Sequence, residues 1–164
     1  LQKVSNAKTK AEKIKLLQEY NTQTLRSILI WNFDESVITV LPAGDVPYAS
    51  LDEQHSFSGT LGEKIEDAVT KMKEIGSSSL GSQDQGRSSL RKEYQKFYNF
   101  VKGGNDSLSS LRRETMFINL LQGLHPLEAE IIILTKDKKL SSKYNLTKEV
   151  VSEAYPDILW GGRS

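Results

Sequence analysis

Nine of the fourteen residues from Gly76 to Ser89 are glycine or serine. A stretch of that composition cannot bury enough apolar surface to offset the entropy of ordering it, so it reads as a flexible linker. It is the strongest boundary in the sequence, and it separates residues 1–75 from residues 90–160. The whole chain has 164 residues and no cysteine. Disulfide frameworks and Cys-ligated zinc are therefore excluded. A chain of this length buries roughly 68–70% of its unfolded surface, enough for one core that the two parts share while residues 76–89 loop out.

Apolar residues recur at helical spacing along most of the chain. Ala7, Ala11, Ile14 and Leu17 share one face of a helix expected over Lys8–Tyr20, and Leu25, Ile28 and Leu29 mark a second over Thr22–Asn32. Asn21 between them is placed to close one helix and cap the next, which makes a hairpin with a very short connection. Phe33–Ser36 reads as a turn. Val37–Leu41 is β-branched and apolar, and Pro42 ends it. A lone strand cannot satisfy its own main-chain groups, so this run is expected to be an extended buried segment, and Ala43–Tyr48 a loop. Leu61, Ile65, Val69 and Met72 predict a helix over 61–75 that Gly76 stops.

Beyond the Gly/Ser stretch, Leu90, Tyr94, Phe97, Tyr98 and Val101 predict a helix over Arg87–Lys102 ended by Gly103-Gly104. Asp106 or Ser107 is placed to cap the next helix, which runs to about Gln122 and is apolar nearly all round in its second half. Pro126 with Glu128 and Glu130 opens another, and Lys136, Lys138 and Lys139 fall near its end. Thr147–Tyr155 is a last short helix closed by Pro156, and Trp160-Gly161-Gly162 reads as a tail with one aromatic anchor. The fold class is thus mainly α: a compact multi-helix domain with at most one short β hairpin or extended segment.

Charge nearly cancels, with 22 Lys and Arg against 21 Asp and Glu, but it is segregated. Residues 1–30 carry six cations and two acids, residues 31–75 nine acids and three lysines. An acidic middle of this kind attracts a basic partner or a second copy of the chain. No apolar run approaches the roughly 20 residues of a membrane helix, so no membrane partner is expected. Leu1-Gln-Lys-Val-Ser-Asn6 has no apolar core, so it does not read as a secretory signal, and the missing initiator methionine leaves room for residues trimmed or omitted upstream.

Catalytic signatures are missing. There is no P-loop, no GxGxxG and no GxSxG. Both histidines have a carboxylate three residues away, Asp52 with His55 and Glu128 with His125. That spacing suits a metal on a helix face, but acids are common enough that surface histidines are the plainer reading. Pairs such as Asp34/Glu35 and Glu66/Asp67 do not face each other on a helix. No catalytic residue, metal ligand or cofactor is expected.

Nucleic-acid binding is the alternative. Arg87 to Arg113 holds seven cations and two acids interleaved with Tyr94, Phe97, Tyr98 and Phe100. Cations neutralise phosphates and exposed rings stack on bases. The candidate residues are Arg87, Arg91, Lys92 and Lys96, with Lys138 and Lys139 in a second basic segment over 136–148. Against this, the helical phase sends Tyr94 and Phe97 into the core and leaves Phe100 off that arc.

Two segments carry a resemblance. The first is Trp31-Asn-Phe-Asp-Glu-Ser-Val-Ile-Thr-Val-Leu-Pro-Ala-Gly-Asp-Val-Pro-Tyr48. The second runs from Leu121-Gln-Gly-Leu-His-Pro-Leu-Glu-Ala-Glu130 through Lys136-Asp-Lys-Lys-Leu140 to Leu146-Thr-Lys-Glu-Val-Val-Ser-Glu-Ala-Tyr-Pro156. Together they cover about 44 of the 164 residues. They resemble a family of small proteins of unknown function from T4-like tailed phages, especially marine cyanophages. The resemblance implies a phage protein in the cytoplasm of an infected bacterium and carries no activity and no site residues. The expected function is a non-enzymatic interaction module that binds another protein or itself. A contiguous exposed set among Trp31, Tyr48, Phe57, Phe100 and Trp160 would mark its interface.

Overall fold

The computed structural model describes residues 1–42, 44 and 88–163, and the main chain alone of Pro47–Tyr48 and Gly59–Thr60. The expected helix over 61–75, the Gly/Ser stretch up to Arg87, His55, and the side chains of Tyr48 and Phe57 lie outside the described residues. Seven α-helices and two 3-10 helices are present among the described residues, so the fold is mainly α. The strands are β1 (Pro47–Tyr48) and β2 (Gly59–Thr60), antiparallel, with Pro47 opposite Thr60 and Tyr48 opposite Gly59. The loop reading of Ala43–Tyr48 is corrected at those two residues, and the single short hairpin allowed by the sequence is found there.

The chain divides into two units, and the division does not follow chain order. Unit 1 joins Leu1–Thr39 to Leu134–Ser164, and unit 2 is Val40–Ile133.

Unit 1 opens with α1 (Gln2–Asn6), a short helix that lies outside the expected Lys8–Tyr20 span. Next come α2 (Lys10–Glu19) and α3 (Gln23–Phe33). Threonines set both starts: the Thr9 hydroxyl accepts from the Glu12 N–H at 3.2 Å and the Thr22 hydroxyl from the Leu25 N–H at 3.1 Å. The cap of α3 is therefore Thr22. Asn21 turns its side chain instead to Arg26, accepting from Nε at 2.7 Å. Val37–Leu41 makes no strand of its own, and the expected buried segment is corrected: only Val37 of the five is buried, Ile38 is exposed and Thr39–Leu41 are half-buried. The last helix of unit 1 (Lys148–Ala154) packs along α2 and is capped by Thr147, whose hydroxyl accepts from the Val150 N–H. Leu17, Leu29, Leu140, Leu146, Val151 and Tyr155 are all at most 2% exposed and form the centre of this core. The Tyr155 hydroxyl donates to the Leu17 carbonyl, fixing the two helices in register. On the solvent side Lys10 bridges Glu149 and Glu153 at 2.7 and 2.8 Å.

In unit 2, α4 (Leu90–Glu93) passes directly into a 3-10 helix over Tyr94–Phe100. The single helix expected over Arg87–Lys102 is thereby corrected. With three residues per turn, Tyr94, Phe97 and Phe100 line up on one edge, whereas an α-helix would swing Phe100 about 120° away from Tyr94. Phe97 and Phe100 are buried, and the Phe100 ring meets Phe117 edge-on at 5.2 Å. Phe117 belongs to α5 (Ser110–Gly123), which starts later than expected. Its cap is Ser109, accepting from the Arg112 N–H. Asp106 accepts instead from the Gly103 N–H, and Ser107 donates to Asn105. The buried Arg113 guanidinium of α5 donates to the carbonyls of Asn99, Asn105 and Leu108 at 2.9, 3.0 and 3.1 Å, and so folds the 99–108 connection onto the helix. Helix α6 (Pro126–Lys136) contains the boundary between the units, and the helix Lys148–Ala154 is α7.

Candidate functional site

The densest polar constellation among the described residues lies in unit 1, where α3 ends. Asp34 follows the last helical residue, Phe33, and is 1% exposed. Its Oδ1 accepts from the Ser36 N–H at 2.9 Å, an Asx-turn that reverses the chain, and from the Ser36 hydroxyl at 2.7 Å. Both carboxylate oxygens accept from the Gly161 N–H, at 3.2 and 3.1 Å, and Oδ2 takes Nη1 of Arg163 at 2.6 Å. The Ser36 hydroxyl in turn accepts from the Arg163 N–H at 3.0 Å, and Arg163 Nη1 also reaches the Leu159 carbonyl. Burial pushes the Asp34 carboxyl up, but the bonds from Ser36, Gly161 and Arg163 outweigh it and hold the group down at about 2. A carboxylate that low has no use for a proton near neutrality, so it binds donors and is no general base.

Lys138 completes the corner from behind. Helix α6 ends in a Schellman arrangement: the Lys138 N–H donates to Thr135 and the Lys139 N–H to Leu134. The left-handed position, usually glycine, is Lys138 with φ 58°. Its ammonium spans to α3 and donates to the Trp31 carbonyl at 2.6 Å and the Asp34 carbonyl at 2.8 Å. Two carbonyls at the C-terminal end of α3 thus accept from a cation, which also suits the helix dipole, and the Asp34 carbonyl accepts from the Val37 N–H as well. Burial lowers the Lys138 ammonium below the usual lysine range, with Asp34 and Glu35 acting the other way. The sequence reading assigned this lysine to the end of its own helix; the geometry gives it to α3.

The segment held at this corner, Ile158–Arg163, shows an uneven surface. Ile158 is buried, Trp160 is half-buried with the Lys148 ammonium 5.2 Å from its ring centroid, and Leu159 is 80% exposed. Ile38, two residues beyond Ser36, is 43% exposed. Of the aromatic residues expected to mark an interface, Trp31 and Phe100 are buried.

The basic candidates fall into two groups. In unit 2, Arg91 and Lys92 are exposed, and Lys96 is exposed but paired with Glu93 at 2.6 Å, an i, i+3 contact. Among the interleaved rings, Tyr98 stands in solvent at 54% exposure while Tyr94 is half-buried. In unit 1, Lys139 is exposed and Lys138 is engaged as described. Arg87 is outside the described residues. Glu128 accepts from the Leu90 N–H at 3.2 Å, and His125 Nδ1 accepts from the Leu127 N–H at 3.2 Å, a cap on α6. Among the described residues no three of His, Asp and Glu converge on one point.

Sequence reasoning weighed Asp34 only as a pair with Glu35, placed Gly161 in a tail and gave Arg163 no role. A signal was present: Asp-x-Ser directly after a helix is an Asx-turn pattern, and a Gly-Gly-Arg segment offers main-chain donors without side-chain bulk.

These features define a mainly helical protein in which a buried carboxylate holds a polar corner. The chain belongs to a family of unknown function, DUF6433, whose model matches residues 1–75 and 77–142. The match includes Asp34, Ser36 and Lys138 and stops before Gly161 and Arg163. No curated protein and no solved structure matches the chain. No helix among the described residues is long and apolar enough to cross a membrane.

Proposed function

We propose that this chain is a non-enzymatic protein–protein interaction module of a tailed phage, working in the cytoplasm of the infected bacterium. The phage setting rests on the resemblance carried by Trp31–Tyr48 and Leu121–Pro156. The interaction role rests on one observation: Leu159 stands 80% exposed on a segment pinned by a buried carboxylate. An apolar side chain on a main chain already held in place loses little freedom on binding, which is how preorganised contacts gain affinity. Ile38, 43% exposed, is a second apolar side chain that the same unit offers. The test is a photo-crosslinking amino acid at position 159 in infected cells, with the same group at Lys15 as control. A discrete adduct at 159 that Ile38→Ser weakens supports the reading; equal labelling at both positions refutes it.

A second reading, nucleic-acid binding, is favoured by Tyr98 standing exposed in the same stretch as Arg91 and Lys92. It requires retention on single-stranded DNA or RNA at low salt that falls steeply as salt is added and weakens on Arg91→Ala/Lys92→Ala. Absence of retention at low salt removes it.

A further inference from the structure

The contacts between the Asp34–Ser36 corner and residues 161–163 are those of a receptor with a peptide. On one side stand a buried carboxylate and a hydroxyl, already oriented by an Asx-turn within their own chain segment. On the other stand two main-chain N–H groups, of Gly161 and Arg163, and one guanidinium. The recognition is chemically specific. Gly161 lies at φ +87° and Gly162 at +73°, conformations that residues with a Cβ rarely adopt, and these turns deliver the Arg163 N–H and Nη1 to the corner together. Arg163 Nη1 supplies one charge-assisted bond to Oδ2, stronger than a bond between neutral groups.

The grip on this strap is also local. From Leu159 to Arg163 no side chain is buried: Leu159, Gly161, Gly162 and Arg163 are exposed and Trp160 is half-buried. The last buried anchor before it is Ile158, which closes a turn on the Tyr155 carbonyl. Detaching residues 159–163 therefore breaks the polar contacts to Asp34 and Ser36 and the Lys148–Trp160 contact, and leaves the core side chains of unit 1 in place. Five extended residues reach roughly 17 Å, enough to cross to a neighbouring molecule. Exchange of an identical element between copies recreates the same bonds and is a low-cost route to association.

We propose that the Asp34–Ser36 corner is an exchangeable peptide site, filled in cis by Gly161–Arg163, that accepts the same strap from a second copy of the chain. The proposal rests on the interaction reading in naming this corner as the contact region, and it commits the partner to be the chain itself.

Two full-length variants test it by complementation. Asp34→Asn disables the corner and keeps the strap; Arg163→Ala disables the strap and keeps the corner. Native mass spectrometry of each variant alone should give monomer, and the equimolar mixture should give a heterodimer. A second measurement holds if Asp34→Asn fails to fold. A fluorescein-labelled peptide of residues 156–164 should bind the Arg163→Ala chain saturably, and at least tenfold more weakly the unaltered chain, whose own strap competes. The same peptide with arginine replaced by alanine should not bind. A mixture that stays monomeric together with a folded Arg163→Ala chain that takes up no peptide overturns the proposal. Peptide binding that ignores the arginine overturns it as well. Failure here leaves crosslinking at position 159 to a different protein as a separate result, so the two readings fail separately.

Discussion

Replacing Asp34 with asparagine keeps the shape of the corner and removes its charge. In the native protein the carboxyl is held at about 2, against 3.8 in an unconstrained chain. A carboxylate depressed in the folded state adds stability that is fully present above the unfolded value and is lost as pH falls through the folded one. The contribution is about 2 kcal/mol at pH 7, falls to about 1 kcal/mol at pH 3 and is nearly gone by pH 2. The asparagine amide adds a cost that does not depend on pH, because its NH2 faces donors. The diagnostic quantity is therefore the change in the wild-type minus variant difference, expected to shrink by about 1 kcal/mol between pH 7 and pH 3. Urea titrations followed by tryptophan fluorescence read it directly, since both tryptophans, Trp31 and Trp160, belong to unit 1. A difference that stays constant from pH 7 to pH 3 would refute the assignment of Asp34 as a charged anchor.

Further consequences follow from the geometry of individual residues. Lys138→Ala loses both carbonyl contacts and keeps a positive φ, while Lys138→Gly loses the same contacts without the strain; the glycine variant should be the more stable by about 1 kcal/mol in chemical denaturation. Gly104→Ala places a Cβ 1.8 Å from the Tyr98 carbonyl oxygen, so the main chain must shift, and a loss of about 1–3 kcal/mol is expected. An unchanged melting temperature would count against that packing. Arg113→Met keeps the volume and drops the bonds to three carbonyls. It should cost about 2–3 kcal/mol and speed amide exchange within 99–108. Thr22→Ala and Thr147→Ala remove helix caps and should each cost about 1 kcal/mol by thermal unfolding.

The helices of unit 1 were legible because their signals are local. Ile28 and Leu29 sit on the buried face that their spacing predicts, and α7 falls within the expected Thr147–Tyr155 span. Pro126 with the early acids correctly tipped the Ile131–Leu134 run toward helix. What escaped depends on contacts distant in sequence. Nothing within a window around Tyr94 announces a 3-10 turn; the period of three becomes favourable because Phe100 finds Phe117. Asp34 shows in the sequence only as a turn residue beside Glu35, because Gly161 and Arg163, which it holds, are more than a hundred residues away. Lys138 was read as serving the end of its own helix because the carbonyls that claim it belong to α3. Charged and polar side chains carry no periodicity that names their partner, so a polar corner is visible only once the chain has folded.

The discontinuity of unit 1 has a bearing on how the molecule is made. Its first thirty-nine residues emerge from the ribosome long before Leu134, and the whole of Val40–Ile133 must be synthesised in between. At roughly 5–20 residues per second that interval is about 5–20 s. During it α2 has neither α7 to cover its apolar face nor Tyr155 to close on the Leu17 carbonyl. The nascent chain thus carries an unfinished oily surface throughout that interval, and α2 and α3 settle only once the residues from Leu134 onward arrive.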